Sequence, residues 1–240
     1  MLREFSMNKK LMLILFAAVG LLVFSAESHA APVGNPTAQT PSQKLSIGPL
    51  IDIYSQDFKA NGYRITGKGN RLFLNFNYGV DRNVNFFGNA GFSKEDLEFG
   101  GNTYSGNYGM GIQFGARATL GELRPEHIKF GGGAKLLLAR SSVDFSSTTK
   151  SNVDWTEFGL FGGMSFEAQP DMIPYLGLQI ARTTTKIVDG TISSQSDFNE
   201  DGLIGLFGGL DLKIQKDISI GMELRVLNEI SATVNCNFSF

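Results

Sequence analysis

The sequence predicts an all-β protein, an antiparallel up-and-down transmembrane β-barrel of about ten strands, with eight as the alternative count. A period-two alternation of apolar and polar residues begins at Leu45 and recurs almost to the last residue. The connections between the alternating segments are short and long in turn. The apolar runs span about 9–13 residues, and tilted strands of roughly this length cross a bilayer.

Residues 1–30 have the pattern of a secretory signal peptide. Lys9 and Lys10 precede an apolar stretch from Leu11 to Ala26, and the small residues Ser28 and Ala30 form a cleavage site. We therefore expect cleavage after Ala30. The alternative is a single membrane-anchoring helix, because the apolar run is only slightly shorter than the roughly 20 residues that a span needs. No cysteine follows the site, so a bacterial lipoprotein is not expected.

Residues 31–43 are rich in Pro, Thr and Gln, a composition typical of a solvated connection. We predict a disordered periplasmic linker here, followed by a barrel domain over residues 44–240. The overall composition supports the β class, since 29 Gly disfavour helices and 20 Phe favour strands. The net charge of -2 provides no basic surface for nucleic acid.

The alternation separates the barrel domain into two faces. One face carries apolar residues and glycine from Leu45 to Phe240, and no Asp, Glu, Lys or Arg falls on it. The other face carries every clear intra-strand charge. A soluble sandwich or lipocalin-like barrel would bury the apolar face. In a transmembrane barrel the apolar face meets lipid, and the polar face fills the lumen. That arrangement predicts a lumen network of Asp52, Arg117, Lys135, Glu157, Glu223 and Arg225.

The connection lengths favour the transmembrane arrangement. Short periplasmic turns are predicted at 81–83, 121–127, 169–172 and 215–217, and long extracellular loops at 55–70, 94–107, 141–154 and 183–202. The short connection at 228–229 breaks this rule, because it falls on the long-loop side. Aromatic residues near the ends of the apolar runs are candidates for the interfacial girdles: Tyr54, Tyr78, Tyr108, Trp155 and Tyr175.

Two short motifs carry a family resemblance. The chain ends on an alternating strand, Ile230–Phe240, which resembles the C-terminal signal of barrels recognised by the outer-membrane assembly machinery, with Phe238 and Phe240 as its aromatic residues. Pro174-Tyr175-Leu176-Gly177 is similar to the Pro-Tyr-x-Gly element of small porin-like and opacity-like outer-membrane barrels. The resemblance implies the cell outer membrane as the location, with its lipids and the assembly machinery as partners. Ten strands departs from the eight more usual in that group.

The sequence provides little material for catalysis. Of its two histidines, His29 lies in the predicted signal peptide and His127 in a predicted turn, so we expect no histidine-based site and no enzyme. We also expect no cofactor, with one alternative. Asp197, Asn199 and Asp201 are spaced like the first half of a calcium loop, although Gly208 stands where the bidentate Glu belongs.

These expectations combine into a function. The lumen charges have both signs, and unpaired charges in a narrow lumen would be costly, so we expect them to neutralise one another. We therefore predict a non-enzymatic barrel with a mostly plugged polar lumen. Its role is structural or in surface interaction, with an extracellular partner that the sequence does not identify. The alternatives are a narrow porin-type diffusion channel and a soluble periplasmic β-barrel that binds an apolar ligand.

Overall fold

The computed structural model describes residues 31–60, 63–124, 127–144, 150–167, 169, 171–189, 195–200, 203–227 and 229–240. The predicted signal peptide, 1–30, lies outside the described residues. The described part contains no helix long and apolar enough to span a membrane. It is built of β1 (Leu45–Ala60), β2 (Tyr63–Gly79), β3 (Val84–Phe99), β4 (Asn102–Tyr104), β5 (Gly106–Leu123), β6 (Ile128–Asp144), β7 (Lys150–Phe166), β8 (Met172–Asp189), β9 (Gln195–Glu200), β10 (Ile204–Gln215), β11 (Ile218–Val226) and β12 (Ile230–Ser239).

Ten of these strands close into an antiparallel ring, in the order β1-β2-β3-β5-β6-β7-β8-β10-β11-β12. The first and last strands pair with each other from Ser46↔Ser239 to Ser55↔Ile230, which closes the ring without an open edge. The predicted all-β up-and-down barrel with ten strands is therefore confirmed. We call the end with the connections at 80–83 and 216–217 the turn end, and the opposite end the loop end.

The outer surface of the ring is apolar. The side chains at alternate positions point outward, and many large ones are exposed, among them Ile53 at 60% and Met110 at 75%. Soluble monomers rarely expose a continuous apolar surface of this kind, whereas a transmembrane barrel presents one to lipid. The predicted register is confirmed, and the chain is an integral outer-membrane β-barrel. The soluble alternative is excluded by the same surface.

The predicted long loops are largely β-structure, which corrects the sequence analysis. In the segment 55–70, β1 and β2 stay paired up to Ala60↔Tyr63. In the segments 141–154 and 183–202, β7 and β8 stay paired up to Ser151↔Asp189. In the segment 94–107, β3 pairs with β2 and with the short β4. Pairing satisfies the backbone N–H and C=O groups of these segments, so polar composition alone does not make them loops.

The ring narrows toward the loop end. The hairpin of β11 and β12 is short, and the last residue of β1 that pairs with β12 is Ser55. Beyond it, β9 pairs with β8 and, at Phe58↔Glu200, directly with β1. The cross-section therefore passes from ten strands to eight, formed by β1, β2, β3, β4 with β5, β6, β7, β8 and β9. Eight strands enclose a space that side chains can fill.

The polarity of the strands inverts at this narrow end. Among the inward residues there, Ile65, Leu97, Val143 and Val153 form a buried apolar cluster, beside buried polar residues that include Glu95 and Ser151. Outward positions carry ion pairs, including Lys68–Glu98 and Arg140–Asp154. An apolar interior with a charged exterior is the arrangement of a barrel surrounded by water. The loop end therefore projects beyond the bilayer.

Three of the five girdle candidates lie inside the barrel. Tyr54, Trp155 and Tyr175 are at most 6% exposed, whereas Tyr78 and Tyr108 point outward. The prediction is wrong for the first three because they fall on the inward register, together with Asp52, Glu157 and Gln179. Aromatic side chains near a strand end belong to a girdle only on the lipid-facing register.

Candidate functional site

A network of buried charges occupies the middle of the lumen, with Asp52 at its centre. Its Oδ2 accepts a hydrogen bond from Arg71 at 3.0 Å, and its Oδ1 accepts from Arg225 at 2.5 Å and from Thr233 at 2.7 Å. Arg225 also pairs with Glu223 at 3.2 Å and contacts Glu229. These ionic side chains are 4% exposed or less, and each of them has an ion-pair partner inside the protein.

Lys135 and Glu157 form a second ion pair at 3.0 Å, from the neighbouring strands β6 and β7, and both side chains are fully buried. Arg117 takes a different position among the predicted lumen residues. Its guanidinium lies 4.3 Å from the centre of the Phe87 ring and donates to the backbone oxygen of Asn35 at 2.7 Å. The structure thus brings Asp52, Glu223 and Arg225 into one network, pairs Lys135 with Glu157, and directs Arg117 toward the N-terminal residues.

Two members of the network do not follow from the sequence. Arg71 falls on the inward face, but alternation alone does not join it to Asp52, nineteen positions away. Glu229 lies in the connection between β11 and β12, where no alternation assigns it a direction. Only the closure of β1 on β12 brings Glu229 and Arg225 beside Asp52. The sequence indicated only that Arg71 lies on the charged, inward face of its strand, and it contained no signal for Glu229.

The predicted disordered linker, residues 31–43, instead enters the barrel: residues 31–40, which we call the lumen segment, lie inside it, and residues 41–43 are exposed at the turn end, where Ser42 bridges to Gly79. The lumen segment runs inward from the turn end, where the Gln39 N–H donates to Asn85 Oδ1 at 2.8 Å. Farther in, the Thr37 and Ser165 hydroxyls lie 2.8 Å apart. Ala31 and Val33 are buried completely or nearly so. The correction has a physical reason: a polar segment with few large side chains fits a narrow polar lumen whose acceptors match its backbone donors.

The deepest part of the lumen segment is held by the carboxylates of the wall. Glu223 accepts from the Val33 N–H at 3.0 Å and from the Gly34 N–H at 2.7 Å. Glu157 accepts from the Ala31 nitrogen at 2.7 Å. Hydrogen bonds to charged groups are stronger than those between neutral groups. Two of the predicted lumen acids therefore bind the segment as well as the cations of the wall.

Gly34 allows the segment to make this contact. Its φ of +71° lies in the left-handed region, and a Cβ there would lie 3.0 Å from Arg117 Nη1. Both the conformation and the space favour glycine. The side chain of the preceding residue, Val33, packs in a buried cluster with Phe87, Phe161, Tyr175 and Phe207.

An apolar layer covers the inner end of the lumen segment. Ala31 packs in a cluster with Tyr54, Phe58, Trp155 and others, and Trp155 makes edge contacts with both neighbouring rings, at 6.0 Å to Tyr54 and 5.1 Å to Phe58. The Arg71 guanidinium stacks on the Tyr54 ring, 3.9 Å from its centre. On the other side of the segment, a cavity of about 670 Å³ lies at the turn end, lined by residues that include Gly34, Lys44 and Phe240.

The remaining candidate residues lie outside the lumen. Phe238 and Phe240 are exposed at the turn end, 43% and 69%, on the last strand and just after it. His127 lies in the turn-end connection between β5 and β6. Of the calcium-like residues, Asp197 and Asn199 belong to strand β9, and Asp201 lies outside the described residues. Within the described residues, no group of three or more His, Cys, Asp or Glu side chains could hold a metal ion.

Several solved outer-membrane barrels are similar to this chain at low sequence identity. The translocator domain of the autotransporter NalP from Neisseria meningitidis is 9% identical with a TM-score of 0.49, over 95% of each chain. The outer membrane protease OmpT from Escherichia coli is 7% identical with a TM-score of 0.48, over 82% of this chain and 95% of OmpT. Neisserial surface protein A is 16% identical with a TM-score of 0.39, over 81% and 96%. No protein-family model and no curated protein matches the chain.

Proposed function

We propose that this protein is a non-enzymatic outer-membrane barrel with a closed lumen, which acts through its structure and its loop-end surface. The binding of the lumen segment to the wall is the observation that carries the proposal. Its backbone donates to Glu157 and Glu223 in the middle of the barrel, and these contacts are buried or partly buried. A segment held by charge-assisted hydrogen bonds fills the space through which a solute would pass.

A second closure lies nearer the loop end. The rings of Tyr54, Phe58 and Trp155 are at most 4% exposed, and the cluster of Leu97 and Val153 lies beyond them. Side chains of an eight-stranded section can fill its interior, and among the described residues this apolar cluster packs there beside buried polar residues such as Gln56 and Glu95. The cavity at the turn end would then be a vestibule without an exit on the other side.

The charged residues of the lumen support a structural rather than a catalytic role. Asp52 accepts from three partners, and Glu157 is held between Lys135 and the lumen segment. A general acid or base needs access to a substrate, which groups buried at 0% exposure do not have. OmpT is a protease by name, but in this chain Asp52 and Glu157 are engaged in the barrel interior.

The outside surface at the loop end is the part that would meet a partner. The paired hairpins there carry outward charges of both signs, such as Lys150 with Asp144 and Arg140 with Asp154. Phe238 and Phe240 at the turn end would serve assembly, through recognition by the barrel-assembly machinery. Outer-membrane lipids would cover the apolar belt between the two ends.

Planar-bilayer conductance tests the closed lumen. The purified protein is expected to give no steady single-channel steps. A variant that lacks residues 33–40 and carries Phe58→Ala, Trp155→Ala, Leu97→Ala and Val153→Ala is the positive control, because it removes most of the lumen segment and truncates the large side chains of the second closure. Its folding is checked by heat-modifiable mobility on a denaturing gel. Reproducible steps from the unmodified protein would overturn the proposal in favour of the narrow diffusion channel.

A further inference from the structure

Ala31 occupies an unusual place for a residue in a polar segment. It has no exposed surface, and it packs against the cluster of Tyr54, Phe58 and Trp155 in the middle of the lumen. Its nitrogen donates to Glu157 Oε2 at 2.7 Å, and its carbonyl oxygen accepts from Lys135 Nζ. The nitrogen of Ala31 is therefore held at a buried ion pair, at the inner end of the lumen segment.

The ion pairs around this nitrogen have an excess of acid. Among the described residues, the buried ion pairs of the network join four carboxylates, Asp52, Glu157, Glu223 and Glu229, to three cations, Arg71, Lys135 and Arg225. Arg117 and Asp211 do not change the difference, since they have opposite charges and both bind Asn35. Glu95, which is also buried, adds a further acid and no cation. Both oxygens of Glu229 are buried and accept no hydrogen bond from a described group. A buried network with one uncompensated negative charge is unfavourable.

The sequence supplies a cation at this position. Ala31 follows the predicted cleavage site, and hydrolysis of the Ala30–Ala31 peptide bond by a leader peptidase consumes one water. The Ala30 carbonyl carbon takes the hydroxyl, which leaves a carboxylate on the leader. The Ala31 nitrogen becomes an α-amine and, after protonation, an ammonium group with three N–H donors in place of one.

We infer that the α-ammonium group of Ala31, freed by removal of the leader, is the cation that completes the lumen network and fixes the lumen segment inside the barrel. The inference rests on the proposed closed lumen and gives that closure its mechanism. Cleavage adds one positive charge beside Glu157, which brings the groups joined in these ion pairs to four of each sign. The barrel captures its own new N-terminus by charge and by hydrogen bonding.

The first experiment uses the full-length gene product, exported, processed and purified from outer membranes. Mass spectrometry is expected to find Ala31 as the first residue, with an unmodified α-amine. The folded protein is then treated with an amine-acetylating reagent, unfolded and digested with chymotrypsin. Lys44 is exposed and lies in the same N-terminal peptide, so it is the internal reference. We expect the α-amine to react at least about tenfold more slowly than Lys44 in the folded protein, and readily after unfolding.

Two variants separate the position of the α-amine from the charge of Glu157 on the barrel wall. The first moves the α-amine, and the second changes Glu157. An insertion of Ala-Gly-Ser-Gly between Ala30 and Ala31 keeps the cleavage site but displaces the α-amine from Glu157; we expect its α-amine to react at the rate of Lys44. Glu157→Gln removes the acceptor charge, and we expect the same loss of protection. The controls are the same insertion between Gly100 and Gly101, where nothing lies within 4 Å of either Cβ position, and Glu167→Gln, which removes an acid from the Lys129 pair outside the lumen.

The outcomes separate the capture of the N-terminus from the closure of the lumen. An unmodified protein whose α-amine reacts as fast as Lys44, or whose first residue is not Ala31, overturns the inference. Slow labelling that persists in the displaced-terminus variant also overturns it, because the protection then does not come from Glu157. If the α-amine of Ala31 is labelled slowly but the protein gives steady conductance, the N-terminus is still bound at Glu157. That result refutes only the closed lumen.

Discussion

Asp52 shows how much a single side chain can organise in a membrane barrel. It lies on β1 and accepts from Arg71 of β2, Arg225 of β11 and Thr233 of β12. The three partners belong to both sides of the seam where the first and last strands meet. A carboxylate in this position links the ends of the ring through side chains, in addition to the backbone ladder.

Asp52→Asn should lower the free energy of unfolding by about 3–5 kcal/mol, because removing one partner of a buried ion pair leaves the others uncompensated. The measurement is urea unfolding in lipid vesicles, followed by the fluorescence of Trp155, the single tryptophan. Asp144→Asn is the matched control: its pair with Lys150 is exposed, and we expect a loss of less than about 1 kcal/mol. Equal losses for the two variants would contradict the central role of Asp52.

At the scale of elements, aromatic rings packed over glycine fix how neighbouring strands meet. Phe207 of β10 pairs with Gly177 of β8, and its ring crosses the space where a side chain would stand. Phe87 and Gly115 repeat the arrangement on β3 and β5. Glycine is needed at these positions for the close approach of a ring rather than for a turn. The glycines on the inward register therefore let large rings fill the lumen.

Gly177→Ala should destabilise the β8–β10 contact, since the new Cβ would lie 2.4 Å from Phe207 Cζ and 2.4 Å from the Gly162 oxygen. Overpacking of this kind costs about 1–3 kcal/mol. Gly162→Ala is the control, because the nearest atom to its Cβ is 3.7 Å away. The urea midpoints of both variants are compared with that of the unmodified protein. A Gly162→Ala variant that loses as much stability as Gly177→Ala would refute the close-packing explanation.

At the scale of the whole molecule, the barrel has two environments along its axis. Its ten-stranded part has an apolar exterior and a polar interior, and its eight-stranded part has the reverse. The polarity of each surface depends on its surroundings. A surface in contact with lipid is apolar, and a surface in contact with water is charged. The ring becomes narrower where its interior becomes more apolar, because the buried cluster of Ile65, Leu97, Val143 and Val153 fills the smaller section without needing charged partners.

Fluorescence quenching by brominated lipids tests which surface faces the bilayer. Trp155 is 2% exposed and points into the lumen, so we expect little quenching of the unmodified protein. A variant with Trp155→Phe and Phe158→Trp moves the tryptophan three positions along β7 to a side chain 53% exposed; strong quenching is expected there. Strong quenching of Trp155 itself would show that the register of β7 is inverted.

The class of fold and the face that meets lipid follow from the alternation of residues, which also predicted about ten strands and left eight as the alternative. Along the apolar run of each strand, one face carries no Asp, Glu, Lys or Arg, and a surface against lipid imposes that exclusion. The same alternation identified Asp52 and Glu157 as inward residues. These features are local in the sequence, because the direction of a side chain in a strand follows from its position alone.

The tertiary structure decided what the inward residues contact. Three features depend on contacts that the alternation does not specify: the position of the lumen segment, the contact of Glu229 with Arg225, and the pairing of β9 with β1 that narrows the ring. Composition made residues 31–43 resemble a solvated linker, because a polar segment has the same composition in water and in a polar lumen. Period-two alternation gives the direction of a side chain but not its partner, since the partner is fixed by ring closure and by which acceptors the lumen leaves open.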